Sequence, residues 1–247
     1  MRNYLKNLSI HCNGDVKKMY YYFKNQKSVL DYSCNDHFIT IYDLEYPDFF
    51  KCLQYPPLVL FYKGDINLIK TNCISVVGSR AANLYACSKT FEYTKKLASK
   101  YTIVSGMALG IDYFAHHSAI TNSGKSIGIL GCGLDQIYPL KNRLLFENMF
   151  KNHLVISEYP AGIKPLKWHF PVRNRLIVAL GTCLLVMSCK CKSGTMHSAN
   201  LASDLNKDIF CLPLRIDDYG SDGIFDLVND GAYLLTDEII NNLLGVC

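Results

Sequence analysis

Four short turns along this chain combine glycine, small polar residues and cations in a way that suits the capture of an anion. They are Gly78-Ser79-Arg80, Ser105-Gly106-Met107-Ala108-Leu109-Gly110, Gly131-Cys132-Gly133 and Lys190-Cys191-Lys192-Ser193-Gly194-Thr195. Each follows an apolar run and opens a helix or loop, where free backbone N–H groups and the positive end of a helix dipole point at whatever binds there. A further segment, Trp168-His169-Phe170-Pro171-Val172-Arg173-Asn174-Arg175, interleaves aromatic and basic side chains ahead of a helix. A backbone phosphate asks for a cation or an N–H donor, and an unpaired base asks for a flat aromatic or guanidinium face. The mixture therefore suits a single nucleic-acid strand better than a duplex. For Arg173 and Arg175 a plainer reading stands beside this one, in which they pair internally with Glu158 and Asp112.

Other motifs read as structure. Gly124-Lys125-Ser126 resembles the end of a phosphate-binding loop, but Ala119 stands where that loop needs its first glycine, and the triplet precedes a strand instead of following one. Gly128, Gly131 and Gly133 lack the dinucleotide-binding spacing, so no nicotinamide or flavin cofactor is expected. Cys189-Lys190-Cys191 lacks a second pair at zinc-finger spacing, and no metal site is expected. Of the acids near strand ends, Asp112, Asp135 and Glu158, none is marked as a base or nucleophile; Asp112 follows Gly110 at a helix start and is expected to cap its N–H groups. His116, one helical turn from Asp112, reads as structural, and His117, His169 and His197 have no partner that sequence identifies. The residues point to a binder with no catalytic group. The alternatives are a nucleotide-binding or nucleotide-hydrolysing Rossmann-like enzyme, and a module that senses a small nucleotide.

These residues need elements to position them. From Tyr46 onward, short apolar runs (Leu58 to Tyr62, Ile74 to Val77, Thr102 to Val104, Ser126 to Leu130, Leu154 to Ile156, Cys183 to Met187, Ile209 to Leu212) alternate with helical segments. That alternation specifies an α/β fold with a mostly parallel sheet and helices on both faces, whose ligands bind beyond the carboxyl ends of the strands. A last strand at Tyr233 to Leu235 and a helix from Asp237 to Leu244 complete it, with no room expected for another domain. Residues 1–45, rich in Tyr, Lys and Asn, are expected to form a small helical appendage without a complete core of its own, and residues 46–247 the main domain.

With 49% apolar residues in 247, the chain can bury a substantial core, and a disordered chain is excluded. The longest nearly apolar run, Leu176 to Met187, is too short to cross a bilayer, so a soluble, cytoplasmic protein is expected. The 11 cysteines are scattered through apolar runs, as expected for buried reduced thiols. A net charge of +5 is modest for a nucleic-acid binder, so the placement of the cations decides more than their number.

The ordered series Tyr46-Pro47, Pro56 to Gly64, Val77-Gly78-Ser79-Arg80, Ser105 to Asp112, Gly131 to Pro139, Ser157-Glu158-Tyr159-Pro160, Phe170 to Arg175 and Lys192-Ser193-Gly194-Thr195 resembles the DNA-processing protein A family (DprA, also called Smf) block by block, over about residues 46 to 236. The resemblance implies an extended Rossmann-like domain that forms a homodimer, binds single-stranded DNA, protects it, and helps load the recombinase RecA during natural transformation. Carried over, Arg80 grips a phosphate, Lys192 is the corresponding cation before the later helix, Lys167 is a phosphate-binding lysine and Phe170 a base-stacking aromatic. The chain departs from the family where Ser188-Cys189 replaces the usual Glu-Ala and where Leu214 follows Pro213 in place of glycine. A C-terminal winged-helix domain, carried by many such proteins, is not expected, and the N-terminal module is at best vestigial.

Overall fold

The computed structural model describes residues 1–246. Among these residues nine strands form one sheet: β1 (His37–Thr40), β2 (Val59–Gly64), β3 (Cys73–Val77), β4 (Thr102–Ser105), β5 (Ser126–Leu130), β6 (Leu154–Ser157), β7 (Leu184–Val186), β8 (Ile209–Cys211) and β9 (Tyr233–Leu234). Their spatial order is β1-β2-β6-β5-β4-β3-β7-β8-β9. From β6 to β9 every neighbouring pair is parallel, while β1 and β2 run antiparallel at one edge. Parallel strands covered on both faces read as near-continuous apolar runs, and all residues of β3, β5 and β6 are buried.

The helices are α1 (Arg2–His11), α2 (Val16–Lys24), α3 (Leu84–Leu97), α4 (Ile111–Thr121), α5 (Arg143–Asn152), α6 (His169–Leu180), α7 (Gly194–Asp204), α8 (Asp222–Asn229) and α9 (Asp237–Leu244). On one face α4 packs between α3 and α5; on the other α6 packs against α7. No helix among the described residues is long and apolar enough to cross a membrane. The α/β architecture with a mostly parallel sheet is the one expected from the alternation of apolar runs and helical segments.

Residues 1–45 hold α1 and α2, and also β1, which is hydrogen-bonded to β2 as the sheet's edge. The two helices have no core of their own. Leu5, Leu8, Cys12 and Met19 instead pack with Val59 and Phe61 of β2, Val155 of β6 and Phe146 and Met149 of α5. Strand periodicity explains the sharing: Leu60, between Val59 and Phe61, points to the opposite face and joins the larger core there.

Strand order determines where a ligand can sit. β3 continues through α3 to β4 on one side, whereas β7, paired with β3 through Ser75↔Leu184, Val76↔Leu185 and Val77↔Val186, continues through α7 to β8 on the other. The chain thus departs in opposite directions from two adjacent strands, and a crevice opens beyond their carboxyl ends.

Candidate nucleic-acid interface

The wall on the β3 side is built by glycine. Gly78 lies so close to the start of α4 that an added Cβ would stand 2.5 Å from Ile111 Cγ1. Gly110 has φ +73°, a conformation that L side chains rarely adopt, and a Cβ there would strike the Ser79 carbonyl. Ile111 N–H donates to that carbonyl at 3.3 Å, so the turn is pinned to α4 and Arg80 projects outward. The Arg80 guanidinium lies 4.9 Å from the centroid of Phe170, which stacks on Tyr138 at 5.8 Å and 29°. A cation and two aromatic rings thus form one layered surface.

The opposite wall is the segment after β7. Ser193 caps α7, its Oγ accepting from Met196 N–H at 3.2 Å, and Lys192 precedes the cap in solvent. Lys190 lies 4.0 Å above the ring of Tyr219. That tyrosine is held in place by the two residues that depart from the family pattern: Ser188 Oγ donates to its carbonyl at 3.2 Å, and Cys189 N–H donates to Gly220 at 2.9 Å. Between the walls, Asn174 Nδ2 bridges α6 to α7 by donating to Ser198 Oγ at 3.0 Å.

The crevice is a cavity of about 360 Å³, and a recess of about 60 Å³ lies behind Phe170, beside Gly131 and Tyr138. Among the described residues, Arg80, Lys190 and Lys192 belong to no ion pair, so their charges remain available to an anion.

Of the residues singled out from sequence, Gly78, Ser79, Arg80, Phe170, Arg173, Asn174, Lys192, Ser193, Gly194 and Thr195 line this one cavity. Ser105 and Gly106 do not. They are buried at the end of β4, where Ser105 Oγ donates to the Val76 carbonyl at 2.7 Å. Lys167 is exposed in the loop before α6, outside the cavity lining. Arg175 is drawn into a buried ion pair with Glu158, and burial pushes that carboxyl up while Arg175 pulls it back.

Arg173 reaches the cavity only as its floor, 5% exposed, with Nη1 donating to the Ile129 carbonyl. Its Nε is buried without a partner. Arg173 and Asp112 close together over Gly106, where any side chain would collide with both. Burial raises the Asp112 carboxyl above its ordinary value, opposed chiefly by Arg173. The expectation that Asp112 caps α4 needs correction: it accepts from Ala108 N–H at 3.3 Å, behind the helix start, because Gly110 occupies the cap position. His116 is structural, its Nε2–H donating to the Gly106 carbonyl at 2.5 Å while Nδ1 faces Ser126 Oγ at 2.7 Å. His169 likewise has a buried role, donating from Nδ1 to the Gly131 carbonyl at 2.9 Å.

Sequence reasoning placed Lys190 in an anion-facing turn without naming it as a contact residue, and it missed Tyr138 and Tyr219 as cavity residues. Lys190 was within reach, since it shares a turn with Lys192. Tyr219 carried no signal, because its place depends on a loop folding back from the end of β8.

A family model described as DNA recombination-mediator protein A matches residues 37–244. The DNA processing protein DprA of Streptococcus pneumoniae (strain ATCC BAA-255 / R6) is 41% identical over 180 residues, covering 73% of this chain and 64% of that protein. The chain spans 54% to 66% of the length of this and two further curated relatives. The X-ray structure of DprA from Streptococcus pneumoniae superimposes with a TM-score of 0.85 at 31% identity, over 98% of this chain and 97% of that one. DNA processing protein A from Helicobacter pylori, a structure concerned with its single-stranded DNA binding mode, gives 0.78 at 33% identity over 85% and 97%. The match spans every strand and both walls of the crevice, and the chain belongs to the DNA recombination-mediator protein A family.

Proposed function

We propose that this chain binds single-stranded DNA in the crevice between the β3 and β7 turns without altering it covalently. On this reading it is a cytoplasmic DNA-processing protein of natural transformation, which protects an incoming strand and helps load the recombinase RecA onto it. One observation carries the reading. Two turns distant in sequence converge so that Arg80, Lys190 and Lys192 surround one cavity beside the stacked rings of Phe170 and Tyr138.

Phosphates meet the three cations and the first N–H groups of α7, where point charge and helix dipole act together. Bases lie on the layer formed by Arg80, Phe170 and Tyr138. Every base has a π face, so this contact tolerates sequence, whereas duplex bases are already stacked on one another and leave it empty. Asp112, the acid nearest the cavity, faces Arg173 and serves as its counter-charge. The named relative from Helicobacter pylori supports the choice of ligand, and the family's recombination-mediator description supports the recombinase as partner. A homodimer rests on family likeness alone.

Titration of fluorescent oligo-dT at several salt concentrations, with a duplex control, tests the reading. Single strands are expected to bind more tightly, with affinity falling steeply as salt rises. Preference for duplex, or an affinity nearly indifferent to salt, would overturn it.

A further inference from the structure

The net charge of +5 is unevenly distributed. Residues 1–30 contain six basic side chains (Arg2, Lys6, Lys17, Lys18, Lys24 and Lys27) against the single acid Asp15, and the remaining residues are balanced at twenty of each sign. This excess precedes the family match, which begins at residue 37. It is concentrated on α2, where Val16 and Met19 are buried while Lys17, Tyr21 and Lys24, spaced by four and three residues, stand exposed in one stripe. Lys27 extends the stripe, with Nζ 4.6 Å from the centroid of Tyr21 and 5.1 Å from that of Tyr22. Among the described residues, Lys17, Lys24 and Lys27 form no ion pair.

The start of α2 is tied to the crevice through a chain of buried contacts. Phe170 in the crevice is next to His169, whose ring stacks on Tyr159 at 4.1 Å. The Tyr159 ring lies against Gly14, at φ +72° the residue before Asp15, and Asp15 caps α2. Trp168, 54% exposed, has its ring 4.0 Å from that of His169.

We infer that α2 and Lys27 form a second contact surface for the same single strand, taking up nucleotides that run out of the crevice past Phe170 and Trp168. The inference rests on the single-strand reading above. Alternating cations and exposed tyrosine suit a polyanion with unstacked bases, and the anchoring of the start of α2 beside the crevice favours that ligand over a membrane surface.

The test compares wild type with K17Q/K24Q/K27Q and with Tyr21→Ala, using the shortest oligo-dT that binds wild type and one about four times longer. For the triple variant, long-strand affinity is expected to fall about five- to ten-fold, and the slope of log affinity against log salt to shrink by about 2, at roughly 0.7 for each phosphate no longer neutralised. Short-strand affinity stays unchanged. Tyr21→Ala, at an exposed position, is expected to weaken only the long strand, and it decides the matter should the triple variant weaken both. Unchanged long-strand affinity and slope would overturn the second surface while leaving the crevice intact. Failure of wild type to bind either strand would overturn the crevice reading itself. Phosphatidylglycerol vesicles form a further arm: capture that depends on these lysines, with strand affinity unchanged, assigns the stripe to membranes and sinks the inference.

Discussion

Arg80, Lys190 and Lys192 are exposed cations that border the same cavity, and among the described residues none of them belongs to an ion pair. Arg80→Ala and Lys192→Ala are each expected to weaken oligo-dT binding by about 1–2 kcal/mol by removing a charge-assisted hydrogen bond to phosphate, read by fluorescence anisotropy. Phe170→Ala is expected to cost about 1–3 kcal/mol by removing the stacking layer. Lys167→Ala should cost less than Arg80→Ala, since its side chain lies outside the cavity lining. Arg175 belongs to a different class. Its side chain is 14% exposed and its partner Glu158 6%, so Arg175→Ala strands a buried carboxylate and is expected to destabilise the fold by about 3–5 kcal/mol. Urea unfolding checks this; unaltered stability with abolished DNA affinity would make Arg175 a contact residue instead. Sequence left Arg173 and Arg175 undecided because α6 is buried on nearly every side from Leu176 to Leu180, and such a helix has no polar stripe to mark an outer face.

At the scale of elements, α4 is bound to the sheet by His116, which joins the end of β4 to the start of β5. Burial lowers its pKa from 6.5 to about 4. Above about pH 6.5 the ring is neutral whether the chain is folded or not, and folding takes up no proton. Between about pH 6.5 and 4 the unfolded chain binds a proton that the fold refuses, so stability falls, by about 3 kcal/mol in total, and the loss levels off below pH 4. His153 and His169, also lowered by burial, act in the same direction. Asp112, raised by burial, acts in the opposite one. Urea unfolding of wild type and His116→Gln at neutral and mildly acid pH isolates the contribution: the variant is expected to show a smaller drop, and an equal drop would assign the dependence elsewhere. The glycines that hold the Arg80 turn against α4 were legible as turn residues, but their partner was not, because Gly78 and Ile111 meet only after a strand and a helix have returned the chain.

For the whole molecule, the measurable consequence is its response to salt. If Arg80, Lys190 and Lys192 each neutralise a phosphate, the crevice contributes about 2 to the slope of log affinity against log salt for a single strand, and a single bound nucleotide much less. A slope near zero would favour the small-nucleotide alternative. Light scattering is expected to report a dimer, and a monomer at the concentrations used for binding would remove that part of the proposal.

The class of fold, most of its strands and the turns that carry cations could be read from the order of residues alone. Those features are local: apolar periodicity, glycine at strand ends and a capping serine follow from residues within a few positions of one another. Strand order is not local. That β7 lies beside β3, so that Lys192 faces Arg80, follows from how the whole sheet is buried, and no spacing in the chain records it. The same reason governs Tyr219, Arg175 and the helices of residues 1–30. Whether a side chain meets solvent, a carboxylate or a cavity depends on which distant segments return to cover it, and that is settled only when the chain packs in three dimensions.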